Sequence, residues 1–99
     1  MNLRFVEAFY WVASLKSVTR AAEKLFLTQS AMSSRISALE EELGVLLLDR
    51  RDKHFKLTVA GARFLVYAKR MLELQRQLKT EMGSVSYTHL RAHETRGNL

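Results

Sequence analysis

Cysteine is absent from this 99-residue chain, which excludes a disulfide framework and any thiolate-held metal. The absence fits a reducing compartment. Glycine is scarce, with four scattered residues, so no phosphate-cradling loop, dinucleotide turn or nucleophile elbow is present. No apolar run approaches the ~20 residues needed to span a bilayer. The opening stretch MNLRFVEAFYWVASL contains Glu7 and lacks a basic cluster and a small-residue cleavage site, so it does not read as a signal peptide. Separated carboxylate pairs are also missing: Glu40, Glu41 and Glu42 crowd an exposed helix end and do not suit acid/base work. His89 and His93 are spaced four apart but have no carboxylate between them, and His54 reads as a surface residue. No enzyme, cofactor or metal site is expected, and a soluble cytoplasmic protein is.

What the chain does contain is apolar side chains at helical spacing and an excess of positive charge. A hydrophobic fraction of 47% can build a core, although so short a chain gains from a partner that buries more surface. The net charge of +6 favours a polyanion, nucleic acid first and an anionic membrane second. A solvated basic surface without a partner remains the plain alternative.

Leu3, Val6, Phe9, Tyr10 and Ala13 recur at helical spacing and predict a first helix over about residues 3–15. Trp11 points off that stripe, towards either partial burial or a subunit contact. Ser17 can cap a short second helix from about Thr19 to Leu25, without the reciprocal capping box because Arg20 is basic. Phe26 and Leu27 break the pattern, and Thr28 can cap a third helix from Gln29 to Leu43. Gly44 stands where that helix should stop.

On the third helix Met32, Ile36, Leu39 and Leu43 stack on one side, with Ser30, Ser33, Ser34 and Ser37 opposite. A short helix, a tight turn and a longer helix with a small polar face outline a DNA-reading helix-turn-helix. Val45–Leu48 and Phe55–Val59 then read as two short strands around the charged DRRDKH tip, forming a hairpin wing. A long helix follows from about Thr58. Phe64, Met71 and Leu78 are spaced by seven, with Tyr67 and Leu74 at the other seam position. A second copy would cover that seam, and intramolecular packing is the alternative. After Gly83 the pattern fails, and residues 84–99 read as a disordered or foreign tail.

TRAAEKL, LTQSAMSSRISALEEELGV, LLLDR and KLTVAG stand in an order and spacing that resemble the N-terminal domain of the LysR-type family of bacterial transcriptional regulators. The likeness covers residues 1 to about 82. It implies a mainly α fold: a winged helix-turn-helix with a short β-hairpin wing over 1–60, and a linker helix pairing two subunits over 61–83. It also implies a C-terminal domain that senses a small-molecule inducer, which these residues do not include.

The resemblance places Gln29, Ser30, Ser33 and Ser34 at base-facing positions. Gln29 can bond adenine in bidentate fashion, while serine hydroxyls discriminate less sharply. Many relatives have proline where Ser30 stands and arginine where Ser34 stands, so their operators cannot be transferred. Arg35 lies nearer the helix flank, with phosphate as its expected contact. Arg20 and Lys24 can hold phosphates on either side. Arg50, Arg51, Lys53 and Lys56 belong to the wing, and Lys53 matches the family's minor-groove residue. Asp49 and Asp52 can orient the arginines. A charged hairpin that only keeps the protein soluble is the plain alternative. The expected partners are a pseudo-palindromic double-stranded operator and a second copy, paired through Phe64, Tyr67, Met71, Leu74 and Leu78, with no membrane. A pairing module that blocks full-length subunits is the other reading.

Overall fold

A computed structural model describes residues 1–51 and 53–93, with side chains described as far as Gly83. The chain folds into α1 (Leu3–Leu15), α2 (Val18–Lys24), α3 (Gln29–Leu43) and α4 (Val59–His93). Each start has a local cause. The side chains of Asn2, Ser17 and Thr28 accept from the backbone N–H groups of Arg4, Arg20 and Ala31 at 2.9, 3.1 and 3.0 Å, satisfying donors a helix leaves open. Lys16 after α1 and Gly44 after α3 turn left-handed, with φ of 55° and 73°, and so release the chain from its helix.

Helix α1 is the centre of the packing. It touches α2, α3 and α4, whereas the backbones of α3 and α4 stay more than 8 Å apart at every Cα pair among the described residues. Val6, Phe9 and Val12 of α1 join Met32, Ile36 and Leu39 of α3, and Leu47 from the following segment, in a fully buried core. Each large side chain removed from water stabilises the fold by about 1.5–3 kcal/mol. Ala21 and Ala22 give α2 a flat buried face. From α4, Ala68 is buried and the Phe64 ring centroid lies 5.5 Å from that of Phe9. At Gly61 the same helix comes so close to Leu47 that an added Cβ would stand 2.1 Å from its carbonyl oxygen.

The expected hairpin wing is not formed as two strands. Among the described residues its arms meet in one antiparallel bridge, Leu48 to Leu57. Beside it, Asp49 N–H donates to the Lys56 carbonyl (2.9 Å) and Thr58 N–H to the Leu47 carbonyl (3.1 Å). The first arm cannot extend the ladder because other acceptors take its donors. Leu47 N–H, on the side of the returning arm, donates to the Glu40 carboxylate at 2.7 Å, and Val45 N–H donates to the Glu40 carbonyl. Leu48 N–H, on the opposite side, joins Leu47 on the carboxylate at 3.1 Å. At the other arm Val59 starts α4 instead of ending a strand, and the Thr58 hydroxyl accepts from Gly61 N–H at 2.9 Å.

Helix α4 also runs further than the pattern predicts, continuing past Gly83 to His93. One glycine inside a helix costs only about 1 kcal/mol, too little to end it. Asp52, residues 94–99 and the side chains of His89 and His93 lie outside the described residues. No described helix is long and apolar enough to cross a membrane.

Candidate nucleic-acid interface

Helix α3 separates its residues by size. Met32, Ile36 and Leu39 are buried against α1, while Gln29, Ser30, Ser33, Ser34 and Ser37 are all exposed. The four serines, with Val45 and Leu46 beyond Gly44, line a shallow groove of about 840 Å³. A helix of 15 residues is ~22 Å long. With hydroxymethyl groups as its outer face, it can sit deep in a major groove ~12 Å wide. The structure thus brings the four expected base-facing residues onto one open surface, at the end of α3 that Thr28 caps.

The basic side chains divide more sharply than the sequence suggested. Arg20 and Lys24 are exposed on α2, and the Lys24 ammonium lies 4.7 Å from the Trp11 ring centre. Trp11 is half-buried, packed against the core, and its ring also offers a face to that cation. Arg35 lies ~140° around α3 from Ser30 at 100° per residue. Its guanidinium is 5.8 Å from the Phe5 ring centre, so it is drawn towards α1 and away from the serine face.

Arg51, Lys53 and Lys56 are exposed in the 49–56 loop. Arg51 is oriented by Asp49, to which its Nε and Nη2 both donate at 3.0 Å. The Arg51 side chain and backbone N–H are the main reasons that Asp49 titrates at about 2 instead of 3.8. The exposed His54 sits near the loop tip.

Arg50 is spent differently. Its Nη1 and Nη2 donate to the two oxygens of Glu40 at 3.3 and 3.2 Å. Glu40, expected on an exposed helix end, is buried with 6% of its surface accessible. Burial pushes its pKa up, but the Leu47 N–H, the Arg50 guanidinium and the Leu48 N–H together outweigh burial and hold it below its ordinary 4.5. The sequence carried a signal for this: Glu40 lies ~80° around the helix from Met32, at the rim of the apolar stripe and beside Leu39.

The residues expected on the α4 seam do not share one environment. Phe64 and Met71 are half-buried against the chain's own core. Tyr67, Leu74 and Leu78 are exposed by 58%, 65% and 53%, and Met82 continues the same open stripe.

Residues 3–62 match the family model for bacterial regulatory helix-turn-helix proteins of the lysR family. The chain is 46% identical over 73 residues to a probable RuBisCO transcriptional regulator from Thalassiosira pseudonana, covering 74% of this chain and 24% of that protein. It is 40% identical over 91 residues to the HTH-type transcriptional regulator HdfR of Yersinia pestis (strain Pestoides F), covering 91% and 31%. The chain therefore spans about a quarter to a third of the length of these curated relatives. Its backbone superposes on that of BenM_DBD, solved with catB site 1 DNA, with a TM-score of 0.82 at 36% identity, covering 87% of this chain and 97% of that one. The matched span takes in α1, α2, α3, the loop and the first turn of α4, and on that ground the chain belongs to the LysR family of bacterial regulatory helix-turn-helix proteins.

Proposed function

We propose that the chain is the DNA-reading part of a cytoplasmic LysR-type regulator, binding a pseudo-palindromic double-stranded operator as a homodimer. The observation that carries this is the α3 surface: a capped helix whose exposed face is small and polar and whose reverse face is the core. The likeness to a structure solved with DNA supports the same reading. Gln29, Ser30, Ser33 and Ser34 read base edges. Arg20, Lys24, Arg51, Lys53 and Lys56 neutralise phosphates, and Lys53 is the minor-groove candidate. Arg35, turned onto Phe5, is a weaker choice for phosphate. Pairing uses the open stripe of Tyr67, Leu74 and Leu78, with Phe64 and Met71 supporting it from the core side. No catalytic or cofactor role is assigned, and sensing of a small-molecule inducer is left to an effector domain outside these residues.

The test is selection of bound duplexes from a random pool at two salt concentrations. A two-fold-symmetric motif is expected, with affinity falling as salt rises because each neutralised phosphate adds about 0.9 to the log–log slope. Gln29→Ala should relax preference at one base pair per half-site and leave the slope intact, while Lys53→Ala should lower the slope. Binding without any motif would refute the reading. The exposed apolar stripe favours a second reading, a module that pairs with full-length subunits and blocks them. That reading expects dimers by sedimentation together with no selected motif.

A further inference from the structure

The loop carrying Lys53 grows from a root that the recognition helix itself holds. The Glu40 carboxylate, near the end of α3, accepts from Leu47 N–H, Leu48 N–H and both terminal nitrogens of Arg50. These partners, Leu47, Leu48 and Arg50, all lie on the arm that leads into the loop, and the bridge from Leu48 to Leu57 ties the returning arm to the same root. Glu40 is buried, as are Leu47 and Leu48. Such a carboxylate cannot reach DNA, and a guanidinium that meets it with two prongs, at 3.3 and 3.2 Å, is held in a fixed direction.

We propose that Glu40 and Arg50 form a strut that sets the 49–56 loop against the recognition helix, making Arg50 a positioning residue for Lys53 and not a phosphate ligand. The proposal rests on the DNA-reading function above. It assigns the two arginines of the loop to different tasks. Arg50, with half of its side chain exposed, is tied to buried Glu40 of α3, whereas Arg51, 92% exposed, is tied to Asp49 of its own loop. It also accounts for a loop that needs no second strand pair: the anchor is a side chain, and the ladder is dispensable.

The test is a double-mutant cycle on the full 99-residue chain, reading the salt slope and affinity for the selected operator. In the wild type, Lys53→Ala should lower the slope by about 0.9. In an Arg50→Met background the same change should lower it no further, because the loop no longer presents Lys53. If Arg50 touched phosphate directly, the two losses would add. Glu40→Gln separates the readings by sign. It keeps an acceptor for the two backbone N–H groups but weakens the hold on Arg50. The strut expects weaker binding, whereas a phosphate-binding Arg50 would be released and bind DNA more tightly. Should Arg50→Met fail to fold, Arg50→Lys carries the test, since it keeps the charge and loses the fork. Additive losses, or tighter binding by Glu40→Gln, overturn the proposal.

A readout without DNA distinguishes failure of the strut from failure of the DNA-reading function. Amide exchange at Asp49, whose N–H joins the two arms of the loop at the Lys56 carbonyl, should accelerate at least several-fold in Glu40→Gln. Unchanged exchange overturns the strut whatever happens on DNA. Accelerated exchange in a chain whose wild type selects no motif removes the DNA reading, and the positioning role falls with it.

Discussion

Adding one methyl group at Gly61 tests how α4 joins the rest of the fold. An alanine Cβ there would stand 2.1 Å from the Leu47 carbonyl oxygen, 3.0 Å from its carbonyl carbon and 3.2 Å from its Cα. All three are backbone atoms of a residue that cannot swing aside. Its N–H is bonded to Glu40, its carbonyl to Thr58 N–H, and its side chain is buried. Relief requires about 1 Å of movement, within the range where overpacking costs roughly 1–3 kcal/mol. Loosening a buried backbone hydrogen bond adds about 1–3 kcal/mol. Alanine's helix preference returns about 1 kcal/mol, so Gly61→Ala should destabilise the protein by about 1–5 kcal/mol, centred near 3. At roughly 4–8 °C per kcal/mol for a chain of this size, the melting temperature should fall by about 10–25 °C at that centre. Gly83 provides the internal control, because it lies in the same helix and its added Cβ would meet nothing within 4 Å. Gly83→Ala should raise stability by about 0.5–1 kcal/mol. Both melts belong at one protein concentration, since self-association would shift them. If the two substitutions moved the melt in the same direction, the close approach at Leu47 would be refuted.

Phe26, in the turn between α2 and α3, has φ of 57° and is 94% exposed, so its side chain gains little from burial while its backbone sits in the left-handed region. Phe26→Asn should stabilise by about 0.5–1 kcal/mol, read as a higher urea midpoint at unchanged m-value. The buried Glu40 carboxyl predicts an acid-sensitive fold. Its pKa is lowered from 4.5, and Arg50 is the charged group that faces it, so its contribution is complete above that value. The contribution is lost as pH falls below 4.5 and through the depressed folded-state pKa. Unfolding followed from pH 7 to pH 3 should show this loss in the wild type and a flatter profile in Glu40→Gln. A wild type that gained stability over that interval would contradict the hydrogen-bond geometry around Glu40.

The helices were legible in the sequence because their causes are local. The spacing of Met32, Ile36, Leu39 and Leu43, with Thr28 before and Gly44 after, marks α3 at both ends. Spacing alone places α1, and Ser17 places the start of α2, whose bounds lie one residue before the expected Thr19 and Leu25. The wing was misread because its first arm is governed by a residue outside the arm. Val45–Leu48 has strand composition, but Glu40 takes the N–H groups of Val45 and Leu47, which a partner strand would need. Composition also could not divide the four basic residues of the loop, since Arg50 and Arg51 are neighbours with the same chemistry and differ in which carboxylate holds them, Glu40 of α3 or Asp49 of the loop. On α4 the heptad spacing was visible, yet period alone does not say which side a helix turns to its own core. Phe64 and Met71 are drawn inwards because α1 lies beside that part of the helix, and Leu74 and Leu78 are left open beyond it.

Leu47 and Gly61 have a mechanical consequence. Helix α4 rests on the body along a continuous stretch: its first turn lies against the Leu47 carbonyl, Ala68 is buried, and Phe64, Leu65, Met71 and Leu72 pack against the core. At 1.5 Å per residue the stretch from Gly61 to Leu72 is ~16 Å long, and Met82 extends ~15 Å beyond it. That is a rod clamped over one half and free over the other. A sideways push near Met82 is borne by the clamped half, whose far end is the Leu47 carbonyl. There it meets a peptide unit whose other hydrogen bond ends on the recognition helix. Leu47 and α1 are thus two mechanical links between the far end of the rod and the serine face.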